Sequence, residues 1–180
     1  VYKRQAESHA LHEDLAAAFY APVESSGANR LCSGGYEVRN FPLPRDADNE
    51  RYPIVAEADV LTGVLDVSAA LQGNVTIEQG NRLLVAATTD IDQQARRATF
   101  PDGVRMDQPG IMMQGRQAEV DLNSDEAHLE DVQFVLTEAG LRGRAETLDQ
   151  SSSGDLDLKN NDFTRCEPGN NGWVLQTDSM

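Results

Sequence analysis

Three groups of residues have types and spacings that could do chemistry. His9-x-x-His12, with Glu13 beside it, would set two imidazoles on one helical face, as a metal site requires. They lie in a terminal segment, where solvation accounts for them. Asp121-x-Asn123-x-Asp125 has the alternating oxygens that open a calcium loop. The sixth position, which needs glycine, holds Glu126, and Val132 stands where a bidentate glutamate would close the loop. A polar hairpin turn is the better reading. Cys32 and Cys166 stand near opposite ends, and neither belongs to a Cys-x-x-Cys motif, so dithiol and zinc-ribbon chemistry are poor readings. There is no Gly-x-Ser-x-Gly and no glycine-rich phosphate loop. The chain is read as non-enzymatic, with no cofactor and no metal.

The elements that would position any site are more telling. Val75-x-Ile77, Val104-x-Met106 and Val132-x-Phe134 are one short strand written three times, at spacings of 29 and 28 residues. Each is followed by a turn: Gly80-Asn81, Pro109-Gly110 and Glu138-Ala139-Gly140. Longer alternating runs then begin at Leu84, Met113 and Leu141, and a short closing strand ends each unit at Ala98–Phe100, Ala127–Leu129 and Leu156–Leu158. Repetition of this kind predicts stacked β units, each too small to bury its own apolar face. Roughly ten or eleven short strands are expected, in an all-β sandwich, jelly roll or solenoid.

Parity changes inside each long run. Leu84 and Ala86 give way to Thr89 and Ile91, Met113 and Gly115 to Ala118 and Val120, and Leu141 and Gly143 to Glu146 and Leu148. Alternate residues of a strand face opposite sides, so one extra residue is needed. A β-bulge would supply it and bend the strand, while a break into two strands is the alternative. The apolar faces gather Val75, Ile77, Leu84, Ile91, Phe100, Val104, Met106, Met113, Val120, Leu129, Val132, Phe134, Leu136 and Leu148. A sealed core is the ordinary reading. Open-ended stacking and built-in curvature favour a trough instead, lined with side chains suited to acyl chains. Arg105, of opposite parity to Met106, is expected on the solvent side.

The chain has 180 residues, enough for one domain with a sizeable core. Its 15 basic and 30 acidic residues give a formal charge of −15, which argues against a nucleic-acid surface or simple adsorption to an anionic membrane. No stretch approaches the roughly 20 apolar residues needed to span a bilayer. Without a charged-then-apolar leader, the chain is read as cytoplasmic, already processed or a fragment. Residues 6–20 predict a helix, with Leu11, Leu15, Ala18 and Phe19 on one face and Pro22 ending it. Residues 1–52 are read as a partly flexible helical and extended lead-in, and 53–180 as the β domain.

Several segments together resemble a known family. Leu31-Cys32-Ser33-Gly34-Gly35-Tyr36, Ala56–Asp59, Gly73–Gly80, Gln114–Leu122 and Ala127–Val132 are similar to successive segments of the OstA-like N-terminal periplasmic domain of the LPS-assembly protein LptD. Cys166-Glu167-Pro168-Gly169-Asn170-Asn171-Gly172-Trp173 resembles the Cys-x-Pro-Gly…Trp segment that closes that domain. The resemblance implies a periplasmic β-jelly roll of two antiparallel sheets in a V, carrying lipopolysaccharide toward the outer membrane. It implies that the fourteen apolar residues meet acyl chains, and that a periplasmic bridge jelly roll pairs with an exposed edge, expected near Ile54–Val60. It further implies a C-terminal outer-membrane β-barrel with a plug lipoprotein, and disulfides from Cys32 and Cys166 to cysteines of that barrel. The chain stops at Met180 without such a barrel, and an internal Cys32–Cys166 bond stays open as the alternative.

Overall fold

A computed structural model of the chain describes residues 11–22, 32, 35–124 and 126–180. One short helix, α1 (Leu15–Phe19), precedes twelve strands. These are β1 (Val55–Glu57), β2 (Val60–Val64), β3 (Ser68–Gln79), β4 (Arg82–Asp92), β5 (Arg97–Phe100), β6 (Val104–Gln108), β7 (Ile111–Gly115), β8 (Gln117–Asp121), β9 (Ala127–Leu136), β10 (Leu141–Gln150), β11 (Leu156–Thr164) and β12 (Leu175–Ser179). All pairings are antiparallel and join the strands into one twelve-stranded sheet. The repeated segments and their turns fall where the repetition places them, but only Val104–Met106 is a short strand of its own, as β6; Val75–Ile77 ends the long β3, and the closing segment Ala127–Leu129 is continuous with Val132–Phe134 in β9. The fold is the expected all-β jelly roll.

The sheet has two leaves joined along a crease. Between β4 and β9 the gap is bridged twice, by β6 and β7 on one side of the crease and by β5 and β8 on the other. The first leaf also contains β1, most of β12 and the halves of β3, β4, β9, β10 and β11 on the same side of the crease. The second leaf contains β2 and the remaining halves. The two sheets of the V are therefore halves of one hydrogen-bonded sheet.

The parity switch is present, but a bulge in the long run is not its cause. β4 and β10 run unbroken through it, and only the middle run splits, into β7 and β8 around Arg116. On both flanks of β10 the register is the same on either side of the switch: Ala145 faces Val132 and Asn161, and Thr147 faces Glu130 and Lys159. Every neighbour carries the extra residue at the same level, so the ladder is kept while the whole sheet folds. Asp131 and Asn160 absorb the turn at φ of 48° and 47°, a left-handed region that Asp and Asn tolerate better than other side chains. The one register shift is in β3, between Gln72 and Val75, where Asp59 braces Gly73-Asn74 through the Asn74 side-chain amide at 2.8 Å.

The predicted helix over 6–20 is realised as α1 alone, and residues 6–10 lie outside the described residues. Asp14 caps it by accepting the Ala17 N–H at 3.0 Å. The backbone before it is extended because two glutamines, register neighbours on β7 and β9, clamp it. Gln114 accepts from the His12 N–H and donates to the His12 carbonyl, and Gln133 does the same with Leu15 N–H and the Glu13 carbonyl. Leu15 and Ala16 are buried with Tyr36, Met112 and Val135 on the outer face of the first leaf, whereas Ala18 is exposed. The lead-in continues across that face. Asn81, 2 % exposed, accepts from the Leu43 N–H and donates to the Leu43 and Pro44 carbonyls. Arg39 pairs with Glu78 and Arg45 with Glu138.

Candidate functional site

The interior of the V is a trough with a graded lining. Along the crease on the first leaf runs the row Val75, Ala86, Val104, Gly115, Val132, Ala145 and Asn161, and every member is buried. On the second leaf the matching row is Leu71, Thr89, Phe100, Ala118, Leu129, Leu148 and Leu158, again all buried. Two residues farther from the crease the exposure rises. Ile77, Leu84, Met106 and Phe163 on the first leaf, and Ile91, Val120, Ala127 and Leu156 on the second, are half-buried, whereas Met113, Phe134 and Gly143 in the middle of the first leaf and Ala98 on the second stay buried. A closed sandwich seals both margins, whereas these leaves are dry at the crease and wetter at the rim. Near the rim two spaces of about 180 and 60 Å³ open between the leaves. Ile77 and Ile91 line the larger, Val104, Met106 and Leu129 the smaller, and Leu84, Phe100 and Val120 both.

All fourteen apolar residues named from the sequence belong to this one cluster, and no member lies elsewhere. The sequence reading missed the small residues of the crease, Ala86, Ala118 and Ala145, and also Leu71 and Leu158. Their signal was the same parity, with side chains too short to mark a core. Gly143 is part of the design. It lies opposite Phe134 in register, and a Cβ there would overlap the Phe134 ring and the Asp162 carbonyl oxygen.

The outer face of the first leaf holds the one strongly perturbed charge cluster. Arg105 faces away from the trough, as its parity requires, but it is fully buried beneath the lead-in rather than in solvent. Its guanidinium donates to both oxygens of Asp107 at 3.2 Å, lies 3.2 Å from His12 Nε2, and stacks 5.2 Å from the Phe19 ring centroid. Burial pushes the Asp107 carboxyl above its ordinary range, with Arg105 opposing. Burial and then Arg105 hold His12 below 6.5. Nearby, burial raises the Tyr36 hydroxyl to about 12. None of these groups reaches the trough. Among the described residues, no three His, Cys, Asp or Glu side chains are placed to hold a metal ion; His9 and Asp125, from the two motifs weighed for metals, lie outside them. Among the same residues no helix is long and apolar enough to cross a membrane.

Cys32 and Cys166 are bonded to each other, the internal alternative. The bond closes 134 residues of sequence, a constraint worth about 5 kcal/mol of unfolded-chain entropy. Arg142 organises the Cys166 loop by donating to the carbonyls of Cys166, Glu167 and Asn170 at 3.0 to 3.2 Å.

Comparison with known proteins bears on what such a trough is for. The family model described as LptA/(LptD N-terminal domain) LPS transport protein matches residues 56–180. The LPS-assembly protein LptD of Saccharophagus degradans is 33% identical over 161 residues, 86% of this chain and 18% of that protein. The LPS-assembly protein LptD of Actinobacillus pleuropneumoniae serotype 5b is 32% identical over 170 residues, 92% of this chain and 22% of that protein. The chain thus spans about a fifth of the length of these curated relatives. Among solved structures, the crystal structure of LptH, the LptA-homologous periplasmic component of the lipopolysaccharide transport device from Pseudomonas aeruginosa, superposes with a TM-score of 0.54. It is 13% identical and covers 72% of this chain and 96% of LptH, a likeness of fold.

Proposed function

The chain belongs to the LptA/LptD N-terminal domain family of LPS transport proteins, and from that membership we propose that its trough shields lipopolysaccharide acyl chains on their way across the periplasm. The observation that carries this reading is the single apolar interior between the two leaves, buried along the crease and half-exposed farther out at Ile77, Leu84, Met106, Ile91 and Val120. Each methylene withdrawn from water contributes about 0.8 kcal/mol, so a chain of about a dozen carbons costs on the order of 9 kcal/mol to hold in solvent. A shielded path is needed, and a largely apolar lining lets the lipid slide because its alkyl carbons find similar contacts along the way. The open rim leaves the glycan in water. No side chain in the trough is a nucleophile placed beside a base, and the role is structural.

The ends of the sheet are the natural contacts. β1 and β2 are exposed along their whole length, and Ile54, Val55, Val60, Leu61, Val64 and Leu65 present a large apolar surface there. Such an edge templates another strand. A periplasmic bridge jelly roll would dock on it, and lipid would leave past β12 toward an outer-membrane β-barrel of the longer protein and its plug lipoprotein.

Photocrosslinking tests the trough. Met113 and Phe134 lie too deep to accept a bulky probe, at 0% and 3% exposure. Val120 and Leu84 at the rim are better sites, and exposed Glu119, adjacent to Val120 on the opposite face, is the control. Lipopolysaccharide is expected on Val120 and Leu84 and not on Glu119. Equal labelling of Val120 and Glu119, or silence at both rim sites in folded protein, would overturn the reading.

A further inference from the structure

Between β11 and β12 the chain turns through the Cys166 loop, whose carbonyls Arg142 gathers. Asn171 and Gly172 are exposed in that loop and lie in neither strand. They form the one Asn-Gly step in the 180 residues. An asparagine amide carbon can be reached by the backbone nitrogen of the next residue, because the closure makes a five-membered ring. A side chain on that next residue hinders the approach, and glycine has none.

Two contacts bear on the reactivity of this step. Arg142 Nη2 lies 3.4 Å from Asn171 Oδ1. A guanidinium only donates, so the atom it faces is the amide oxygen, and the carbonyl is polarised. The Gly172 N–H donates to Asn170 Oδ1 at 3.0 Å, which draws electron density onto that nitrogen. Asn123 is the internal comparison: its Oδ1 accepts from Arg96 at 3.2 Å, but Ser124 follows it.

We infer that Asn171 is a self-modification site, at which the Gly172 nitrogen closes on the Asn171 amide carbon and the asparagine becomes aspartate or isoaspartate. The nitrogen loses its proton to solvent and bonds to Cγ, and the electron pair displaced onto Oδ1 is held by Arg142. The pair returns, the Cγ–Nδ2 bond breaks, and ammonia leaves with a proton taken from water. Water then opens the succinimide at either carbonyl. In balance, one amide and one water give one carboxylate and one ammonium ion. The new carboxylate stands beside Arg142. The isoaspartyl form also adds a methylene to the backbone next to Gly172, where a Cβ would lie 3.6 and 3.8 Å from the Cys166 and Cys32 sulfurs, so the change is made against the disulfide.

The test incubates the intact, disulfide-bonded chain at neutral and at mildly alkaline pH. Tryptic mass spectrometry then reads the two asparagines, and enzymatic methylation reads isoaspartate. The mass gain of amide-to-acid conversion is expected at Asn171 and not at Asn123, and it should come faster at the higher pH because the nitrogen must lose its proton. Gly172→Ala should abolish it without disturbing the fold, since the added methyl meets only ordinary contacts of 3.5 to 3.8 Å. Arg142→Gln should slow it by about tenfold, less than in a dry active site because the loop is exposed. An unchanged Asn171, equal conversion of Asn123, or full conversion in Gly172→Ala would overturn the assignment. An undiminished rate in Arg142→Gln would overturn the part given to the guanidinium.

Discussion

Asp107→Ala should be among the most damaging single changes outside the trough. Arg105 and Asp107 are 0% and 4% exposed, and the guanidinium reaches both carboxylate oxygens at 3.2 Å. Deleting the carboxylate takes from a buried permanent charge the two hydrogen bonds that it makes to Asp107. Breaking one side of a buried pair costs about 3–5 kcal/mol. With a urea slope of about 2 kcal/mol per molar, the unfolding midpoint should fall by about 1.5–2.5 M, at unchanged slope. The double variant Arg105→Met with Asp107→Leu removes both desolvation costs as well as the attraction, and should lose less than about 1 kcal/mol. Burial pushes the Asp107 carboxyl up while Arg105 pulls it down, the direction expected where desolving the carboxylate is costly. Urea melts followed by far-ultraviolet circular dichroism and by the single tryptophan, Trp173, complete the cycle. A loss below about 1 kcal/mol for Asp107→Ala, or a double variant as unstable as the sum of its parts, would refute the reasoning.

Acidification should loosen the same region. His12 titrates below 6.5 in the folded chain, so the unfolded chain binds more protons between that lowered value and 6.5. Stability should therefore rise with pH through that window and level off above about 6.5, as far as His12 is concerned. A melting temperature followed from pH 5 to 8 checks it, and the slope should disappear in His12→Gln; the same slope in both proteins would count against His12. Gly143→Ala should cost about 1–3 kcal/mol, because the new methyl meets a carbonyl oxygen of the β11 backbone as well as the Phe134 ring. Thermal melts should show a drop of about 2–10 °C, and an unchanged midpoint would mean that Phe134 has room to turn away.

The trough was legible in the sequence because strands write their faces in alternate letters. Leu84 and Ala86 against Thr89 and Ile91 announced the crease, and the repeat announced that it recurs. Its cause was not legible: a bulge and a coordinated fold of all strands leave the same local pattern, and only the register between Ala145, Val132 and Asn161 separates them. The lead-in was also hidden. Gln114, Gln133 and Arg105 read as solvent-facing polar residues on half-buried strands, yet they clamp or support a peptide from about a hundred residues away. Asn81 reads as turn punctuation, although three of its hydrogen bonds serve Leu43 and Pro44. Such contacts are encoded in tertiary distance, which periodicity does not carry.

The lead-in covers only one leaf. Helix α1, Tyr36 and the Leu43–Pro44 segment lie on the back of the first leaf, while the back of the second carries solvated pairs such as Arg97 with Glu119 and His128 with Asp149. The clip thus has one splinted jaw and one bare jaw. The larger space between them is about 180 Å³. An acyl chain entering it, as proposed above, would press on one braced leaf and one unbraced leaf, and the unbraced one would yield. Amide hydrogens of β5 and β8 should exchange faster than those of β6 and β7, and loading should widen that difference. Because β1 and most of β12 belong to the splinted jaw, those two ends would hold their alignment while the other side swings, and modules docked there as proposed would pass a lipid along without parting.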